Sequence, residues 1–173
     1  SWQDDCEFIF VDDGSTDDTA LIASKYADRE NFVFLLNSKN EGLAYSSNRA
    51  IKAARGKYLF RLDADDGLMP GAFRIMRREL ESTGAGITYS AYNEMDEFGA
   101  VDSKTQDPEK YHHAGCALMD HRMINEFMFT NGLKHYDGLD LYSRIKKSNF
   151  KISYIKKLPL WYYRKHSDSL SAV

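Results

Sequence analysis

Apolar runs alternate with segments of helical spacing along the first half of the chain. Three runs end abruptly at turn-forming or acidic residues, as buried strands do, and the predicted strands are residues 7–11, 32–36 and 58–62. Apolar residues recur at helical spacing after each run, and the predicted helices are residues 20–27, 43–54 and 72–80. The pattern therefore predicts three consecutive strand-helix units.

The second half of the chain has a looser pattern. A further strand is predicted at residues 87–92, and the polar stretch 93–110, which contains Pro108, is predicted to be a loop of variable geometry. Helices are expected at residues 119–127 and 139–145, and short strands at residues 151–154 and 160–163. We find no internal repeat or linker, so we expect a single domain spanning residues 1–173.

Strands that alternate with helices are typical of an α/β fold. The predicted architecture has three layers, with a mostly parallel central sheet covered by helices on both faces. In such sheets, ligands bind beyond the carboxyl ends of the strands. Two acidic clusters, residues 12–13 and 63–66, directly follow predicted strands. We therefore expect both clusters at the ligand-binding edge of the sheet.

Composition narrows the class of protein and its partners. The chain has 173 residues, of which 43% are hydrophobic and 28% charged, and a net charge of -3, which is typical of a globular domain. Because a clustered basic patch is lacking, we expect no nucleic-acid partner. Two cysteines and the lack of an apolar run of about 20 residues indicate a cytoplasmic protein without a transmembrane segment. Peripheral membrane association, including at the inner face of the plasma membrane, is compatible with this pattern.

Three carboxylates fall within residues 63–66, namely Asp63, Asp65 and Asp66. Repulsion between two carboxylates about 4 Å apart could reach roughly 4 kcal/mol at an effective dielectric constant near 20. A divalent cation with ligands from carboxylates and substrate phosphates would offset this repulsion. The alternative is a solvated acidic turn that caps the next helix. Asp12 and Asp13 are suited to hydrogen bonds with a nucleobase or ribose, and equally to a turn and helix cap.

Four ordered blocks of the sequence resemble motifs of the family 2 glycosyltransferases. The first two are residues 10–19, FVDDGSTDDT, and residues 40–66, which contain NEGLA, Asn48 and AARGKY and end in LDADD. The other two are residues 137–145, DGLDLYSRI, and residues 162–171, YYRKHSDSLS. The resemblance covers nearly the whole chain.

The resemblance implies a GT-A fold and the inverting transfer of a sugar from a nucleotide diphosphate, which we expect to be UDP, to a hydroxyl of a glycan or lipid-linked acceptor. It also implies polysaccharide or cell-surface glycan synthesis and a divalent metal cofactor, Mn²⁺ or Mg²⁺. The implied nucleotide-binding residues are Asp12, Asp13, Asn40, Gly42, Asn48, Asp63 and Asp65. The implied metal ligand is Asp65 or Asp66. His166 is a further candidate for binding metal or diphosphate, with a plain surface histidine as the alternative.

The family supplies its catalytic base from an acidic pair at the start of a late helix. In this chain the pair reads Asp137-Gly138, with glycine where the second acid usually stands. Asp137 is our first candidate for the base and Asp140 the second, because positions three apart share a helix face. The alternative for Asp137 is an acid placed at the helix N-terminus by the helix dipole.

Two further departures from the family concern the donor side. Ser47 precedes Asn48 where relatives often have an arginine, and Arg49 is a candidate replacement for binding phosphate. The family's opening strand, with its Pro-any-Tyr-Asn turn, has no counterpart in the sequence. We therefore expect an N-terminally incomplete domain with an incomplete nucleotide pocket.

Aromatic residues late in the chain are candidates for the acceptor side. Trp161, Tyr162 and Tyr163 could stack on acceptor sugars, but at least one should be core because strand residues alternate faces. His112 and His113 fall where relatives shape the acceptor pocket, and the sequence shows no partners for them at zinc-ligand spacing.

Two other functions are compatible with parts of this pattern. A non-catalytic relative would keep the fold and act as a binding module. A Mg²⁺-binding phosphate-switch domain similar to receiver domains also groups acids at strand ends. Such a switch needs a lone phosphorylatable aspartate with a later Thr or Ser and a Lys, and that set cannot be placed in this sequence.

Overall fold

The computed structural model describes residues 6–133 and 135–166. Strands and helices follow one another along this part of the chain. The strands are β1 (Phe8–Asp12), β2 (Phe32–Leu36), β3 (Tyr58–Phe60), β4 (Gly67–Leu68), β5 (Ile87–Met95), β6 (Val101–Gln106), β7 (Ala117–Asp120) and β8 (Ile152–Arg164). The helices are α1 (Thr19–Ser24), α2 (Leu43–Ala53), α3 (Ala72–Thr83), α4 (His121–Phe127) and α5 (Asp137–Lys146), with a 3₁₀ turn at Ala114–Cys116.

The three strand-helix units predicted for the first half are confirmed. They correspond to β1-α1, β2-α2 and β3 with α3, and the short β4 lies between β3 and α3. Both acidic clusters lie at or just after strand ends, as predicted. The helix predicted at residues 119–127 begins only at His121, because Met119 and Asp120 belong to β7 and pair with β3.

The strands form two sheets. In the smaller sheet, β1 pairs in parallel with β2, from Phe8 opposite Phe32 to Asp12 opposite Leu36. The larger sheet has the order β3-β7-β5-β8-β4, and β6 pairs with β5. β5 and β8 are parallel, whereas the other pairs of the larger sheet are antiparallel. The α/β class is confirmed, but the sheet is mixed rather than mostly parallel. β6, for example, returns after residues 96–100, a connection too short for a parallel crossover.

Two stretches of the second half differ from their predicted structure. The polar stretch 93–110 is predicted as a loop, but β5 and β6 form a hairpin there. Nearly all of β6 is exposed, so its sequence lacks the apolar and polar alternation that marks a half-buried strand. The strands predicted at residues 151–154 and 160–163 are parts of one strand, β8, whose register with β5 shifts between Ile155 and Pro159.

The two sheets share no strand pairing within the described residues. Among them, β1 pairs only with β2, and β3 only with β7. Glu7 links the sheets, because its carboxylate accepts hydrogen bonds from the backbone N–H groups of Arg55 (2.6 Å) and Gly56 (2.7 Å) just before β3. Residues 1–5 lie outside the described residues. The incomplete domain and its missing opening strand therefore stay a prediction.

Buried side chains lie on both faces of the larger sheet. On one face, Met119 and Trp161 join a large apolar cluster with residues of α4 and α5. On the other, Leu118 and Leu160 pack against α3, as expected from the alternation of side chains along β7 and β8. Helices therefore cover both faces, as predicted. Within the described ranges, no helix is both long enough and apolar enough to cross a membrane.

Candidate active site

The end of β1 is tied to the loop after β2 by Asp13. Its carboxylate accepts hydrogen bonds from the backbone N–H groups of Glu41 (2.9 Å) and Gly42 (2.8 Å), and from the Asn37 side-chain amide (2.5 Å). Burial acts to raise the pKa of Asp13, but these bonds favour the ionised form and hold the pKa below its ordinary value. Gly42 has a φ of 94°, a conformation that favours glycine. Asp13 therefore shapes this loop.

Asp12 is buried at the same strand end, with 2% of its surface exposed. Its Oδ1 accepts a hydrogen bond from the Ser15 backbone N–H (2.8 Å), while its Oδ2 has no partner in the described part of the chain. Buried carboxylate oxygens normally have a partner, so a ligand or water could donate here. Asn40 lies beside this turn. The backbone of Lys39 and Asn40 comes so close to Gly14 that a Cβ there would have no room.

Asn37 organises the same region, although the sequence analysis missed it. Its side-chain nitrogen donates to Asp13 and to Ser46 Oγ (2.8 Å), and its side-chain oxygen accepts a hydrogen bond from Arg49. Arg49 also donates to the Leu36 carbonyl, so its guanidinium is bound to the protein in this conformation. The signal for Asn37 was its position, since it is a polar residue directly after a predicted strand.

Asn48 fixes a distant loop rather than facing the β1 end. Its side chain donates to the Phe129 carbonyl oxygen (2.8 Å) and to Asn131 Oδ1 (3.1 Å), and it accepts from the Phe129 N–H (2.8 Å). The residue is buried. Because the whole amide is used within the protein, we leave Asn48 out of the ligand set proposed below.

Asp65 and Asp66 face different surroundings in the loop after β3. Asp65 is exposed, and its Oδ2 lies 2.9 Å from Nε2 of His166. Asp66 accepts a hydrogen bond from the Arg164 backbone N–H (2.9 Å), and its Oδ2 is buried without a partner among the described residues. Burial raises the pKa of Asp66 to about 7, although the Arg164 hydrogen bond acts in the opposite direction.

Asp65 and His166 fit a divalent cation better than Asp66 does. A cation needs ligands that can reach open space, and these two side chains lie together with 41% and 30% of their surfaces exposed. Nowhere in the described ranges are three or more His, Cys, Asp or Glu side chains arranged to hold an ion. An ion at this place would take its other ligands from water and phosphate oxygens, as Mg²⁺ commonly does.

Arg164 joins this acidic loop to the turn between β5 and β6. Its Nε donates to the Asp65 carbonyl oxygen (2.9 Å), and its Nη1 donates to the carbonyl oxygens of Asp96 and Glu97 (3.0 Å each). Together with its backbone bond to Asp66, these contacts fix the shape of the loop. The role of Arg164 was missed, because nothing in the sequence shows which side chains β8 brings to this loop.

Arg61 connects the acidic loop with the first turn of α5. Its Nε lies 3.0 Å from Oδ1 of Asp63, and its guanidinium also forms an ion pair with Oδ2 of Asp137. Burial raises the pKa of Asp63 above its ordinary value, and the Arg61 charge offsets this only in part. The sequence analysis missed Arg61, although a charged residue inside an apolar run was a usable signal.

Gly138, which stands where a second acid was expected, has no room for a side chain. A Cβ at this position would overlap the His112 carbonyl oxygen and lie 2.8 Å from the Ala114 backbone nitrogen. The first turn of α5 therefore lies directly against residues 112–114. A second acid after Asp137 would require that backbone to move.

Asp140 pairs with residues of its own helix and of the segment before α5. Its Oδ2 accepts hydrogen bonds from Arg144 Nε (2.9 Å) and Thr130 Oγ1 (2.8 Å). Arg144 also donates to the Met128 carbonyl oxygen, so Asp140 helps to anchor the segment that leads into α5. Of the two candidate bases, Asp137 is the one that shares a partner, Arg61, with the loop after β3.

Aromatic rings surround the two histidines, and His113 contacts two of the late aromatic residues, Trp161 and Tyr163. Trp161 is only 1% exposed, which confirms that at least one of the three is core. The His113 ring stacks on Tyr163 at a centroid distance of 5.1 Å, and burial lowers the pKa of His113 to about 4, so the ring is neutral at pH 7. His112 stacks on Tyr142. These contacts make both histidines packing residues beside α5.

Curated proteins resemble this chain in sequence. "Putative glycosyltransferase EpsH" of Bacillus subtilis (strain 168) is 28% identical over 188 residues, covering 96% of this chain and 54% of that protein. Chondroitin synthase of Escherichia coli is 33% identical over 96 residues, covering 55% of this chain and 14% of that protein. The chain therefore spans about half the length of the first relative and a smaller part of the second.

The same architecture occurs in a solved structure, residues 1–349 of TarS from S. aureus in complex with UDP-GlcNAc. The TM-score is 0.78 at 20% identity, covering 99% of this chain and 53% of the TarS chain. This likeness confirms the expected GT-A fold. The family model described as "Glycosyl transferase family 2" matches residues 2–138, and this chain belongs to that family.

Proposed function

We propose that this chain carries the active site of an inverting glycosyltransferase that moves a sugar from a UDP-sugar to a hydroxyl of a glycan or lipid-linked acceptor. One observation carries the proposal: Arg61 joins Asp63, after β3, to Asp137, at the start of α5. TarS, solved with UDP-GlcNAc and with UDP, supports a UDP donor. The name of chondroitin synthase supports polysaccharide or cell-surface glycan synthesis.

The β1 end and the loop after β2 would bind the nucleotide. Asp12 offers a buried oxygen without a described donor, which suits a ribose hydroxyl or a base N–H. Asp13 orders the backbone of the loop that contains Asn40 and Gly42. Asp63 would lie at the ribose side of the diphosphate; burial raises its pKa, and the charges of Asp137 and Asp65 add to this.

Asp65 and His166 would hold a divalent ion, Mn²⁺ or Mg²⁺, together with oxygens of the donor diphosphate. The ion would supply positive charge that stabilises the leaving diphosphate. Asp66, the other metal candidate from the sequence, would instead hold the loop in shape through its hydrogen bond to Arg164.

Asp137 would act as the catalytic base. Its carboxylate accepts the proton of the acceptor hydroxyl while the acceptor oxygen forms a bond to the anomeric carbon of the sugar. The bond from that carbon to the diphosphate oxygen breaks, and its electron pair leaves with the diphosphate. Attack opposite the leaving group inverts the anomeric carbon. Asp140 suits this role less well, because its partners Arg144 and Thr130 lie in α5 and just before it, whereas Arg61 ties Asp137 to the loop after β3.

The cellular location belongs to the same proposal. Within the described residues, Cys6 and Cys116 form no disulfide, which supports a cytoplasmic site, and a lipid-linked acceptor would place the protein at the inner face of the plasma membrane. The relatives and the fold lend no support to the binding-module or phosphate-switch alternatives.

A turnover assay on the full-length protein tests this function. We expect UDP release from at least one of a panel of UDP-sugars when Mn²⁺ and a mixture of oligosaccharide and lipid-linked acceptors are present. The rate should fall about 100-fold or more in Asp137→Asn, which lacks a base. Asp28→Asn, a change at an exposed aspartate between α1 and β2, should keep the wild-type rate. No turnover of any UDP-sugar, or full activity of Asp137→Asn, would contradict the proposal.

A further inference from the structure

Arg61 occupies an unusual place for a charged residue. It directly follows β3, and only 15% of its side chain is exposed. Its guanidinium contacts Asp63 and Asp137, and the guanidinium carbon lies 5.2 Å from the centre of the Phe129 ring. Three separate segments of the chain therefore meet at this side chain.

The charges of this cluster are not balanced. One guanidinium faces two carboxylates, Asp63 and Asp137, so the cluster carries a net charge of about -1 when both acids are ionised. Buried ion pairs seldom stabilise a fold more than well-packed apolar residues would, because removing the charges from water is costly. The arrangement is better explained by placement of the two carboxylates than by stability.

The first turn of α5 is held from two sides. On one side, the backbone of residues 112–114 lies against Gly138 without room for a Cβ. On the other, Arg61 holds the Asp137 carboxylate. Gly138 fixes the distance of the helix from its neighbour, and Arg61 fixes the direction in which the Asp137 carboxylate points. Asp137 has no second described side-chain donor that could replace Arg61.

We propose that Arg61 is a positioning residue that holds the Asp137 carboxylate at a fixed place relative to the loop of Asp63 and Asp65. This inference rests on the proposed function, in which Asp137 is the base and the loop binds the donor. Without Arg61, the two carboxylates would repel each other, and the base would lose its alignment with the acceptor hydroxyl. Misplacement of a catalytic group by about 1 Å can cost about 100-fold in rate.

Kinetics of Arg61→Met and Arg61→Lys test the inference on the full-length protein with the UDP-sugar that it turns over. We expect kcat to fall about 100-fold in Arg61→Met and the donor KM to change much less than kcat, because Asp63 also loses a partner while the proposed donor contacts of Asp12, Asp65 and His166 remain. Arg61→Lys keeps the positive charge but lacks the planar guanidinium that can bind two carboxylates. Its kcat should therefore lie between those of the wild type and Arg61→Met. Adding Arg61→Met to Asp137→Asn should cause little further loss, since both changes remove the same function.

A second readout does not depend on turnover. Hydrogen exchange of the backbone amides in residues 137–141 should accelerate in both Arg61 variants, while α3 should exchange as in the wild type. Arg122→Met is the matched control, because it removes an exposed arginine at the start of α4 that pairs with Asp120, the last residue of β7. It should change neither kcat nor exchange in α5.

The two readouts separate the failure of this inference from the failure of the proposed function. If the wild type turns over no UDP-sugar, the proposed function fails, and the exchange experiment still tests the placement of α5. The inference is overturned if Arg61→Met leaves kcat and α5 exchange unchanged. Should Arg61→Met fail to fold, Arg61→Lys decides in the same way.

Discussion

The carboxyl group of Asp66 shows how its surroundings change the chemistry of one residue. Burial raises its pKa to about 7, the Arg164 hydrogen bond opposes this, and the charges of Asp63 and Asp65 add to it. Between about pH 4 and pH 7, folded Asp66 therefore holds a proton that an unfolded aspartate would have lost. Its contribution to stability is fully present below about pH 4 and is lost as the pH rises through about 7.

Asp66→Asn should therefore raise stability at pH 8 more than at pH 5. Asparagine keeps an oxygen that accepts the Arg164 hydrogen bond, and it carries no charge. Because Asp66 is partly exposed, solvent screening reduces the expected gain in the free energy of unfolding to about 1 kcal/mol at pH 8. A gain of this size would raise Tm by about 2–4 °C. Thermal melts with a chelator present measure this. A Tm gain of equal size at both pH values would show that ionisation of Asp66 is not the cause.

Asp13 presents the opposite case. Its pKa is lowered by the hydrogen bonds that outweigh its burial, so its contribution to stability is present above the unfolded pKa of about 4 and is lost as the pH falls through the lower folded pKa. Asp13→Asn turns one acceptor into a donor opposite the N–H groups of Glu41 and Gly42. We expect a loss of about 1–3 kcal/mol in the free energy of unfolding at pH 7.

Urea unfolding of Asp13→Asn at pH 7 and at pH 3 measures this loss. The difference from the wild type should shrink at pH 3, because unfolded Asp13 is then largely protonated and part of the stability that comes with the lowered folded pKa is lost. Asp28→Asn provides the control, with an expected change of less than about 0.5 kcal/mol for an exposed site. A loss that is the same at both pH values would exclude the ionised carboxylate as its source.

At the scale of elements, the position of α5 depends on Gly138. Gly138→Ala adds a methyl group that would overlap the His112 carbonyl oxygen, which costs about 1–3 kcal/mol in a packed site. Alanine favours a helix by about 1 kcal/mol over glycine, so the net result should still be a loss of stability. Ser143→Ala in the same helix should be neutral or slightly stabilising. Urea unfolding distinguishes the outcomes, and a more stable Gly138→Ala would show that α5 can move away.

The elements of the first half could be predicted because their strands are short apolar runs that end at turns. The β5–β6 hairpin could not, since β6 is solvated and its sequence shows no alternation. The mixed sheet could not be predicted either, because β5 pairs with β7 and β8, which are far from it in the sequence. Sequence patterns describe local structure better than the order of strands.

The candidate site was predicted in part. The aspartates of the two acidic clusters and Asp137 were named from motifs and spacing, and their roles remain proposals. The residues that organise them, Asn37, Arg61 and Arg164, were missed because their partners come from other elements. Gly138 was noticed as a departure, but only the approach of residues 112–114 explains it.

At the scale of the molecule, a continuous set of contacts links the two sheets through the site. Asp13 binds Asn37 at the end of β2, α2 carries Asn48 to Phe129, and the Phe129 ring lies beside Arg61. Arg61 then reaches both the acidic loop and α5. The nucleotide side and the acceptor side of the proposed site therefore belong to one connected structure.

The central claim is that a divalent ion at Asp65 and His166 joins this protein to a nucleotide diphosphate. Isothermal titration calorimetry of UDP into the full-length protein, with Mn²⁺ and with a chelator, tests it most directly. We expect binding with Mn²⁺ that weakens about tenfold or more with the chelator and in Asp65→Asn, while Asp66→Asn stays within about threefold of the wild type. UDP binding of equal affinity without metal and in both variants would contradict the account.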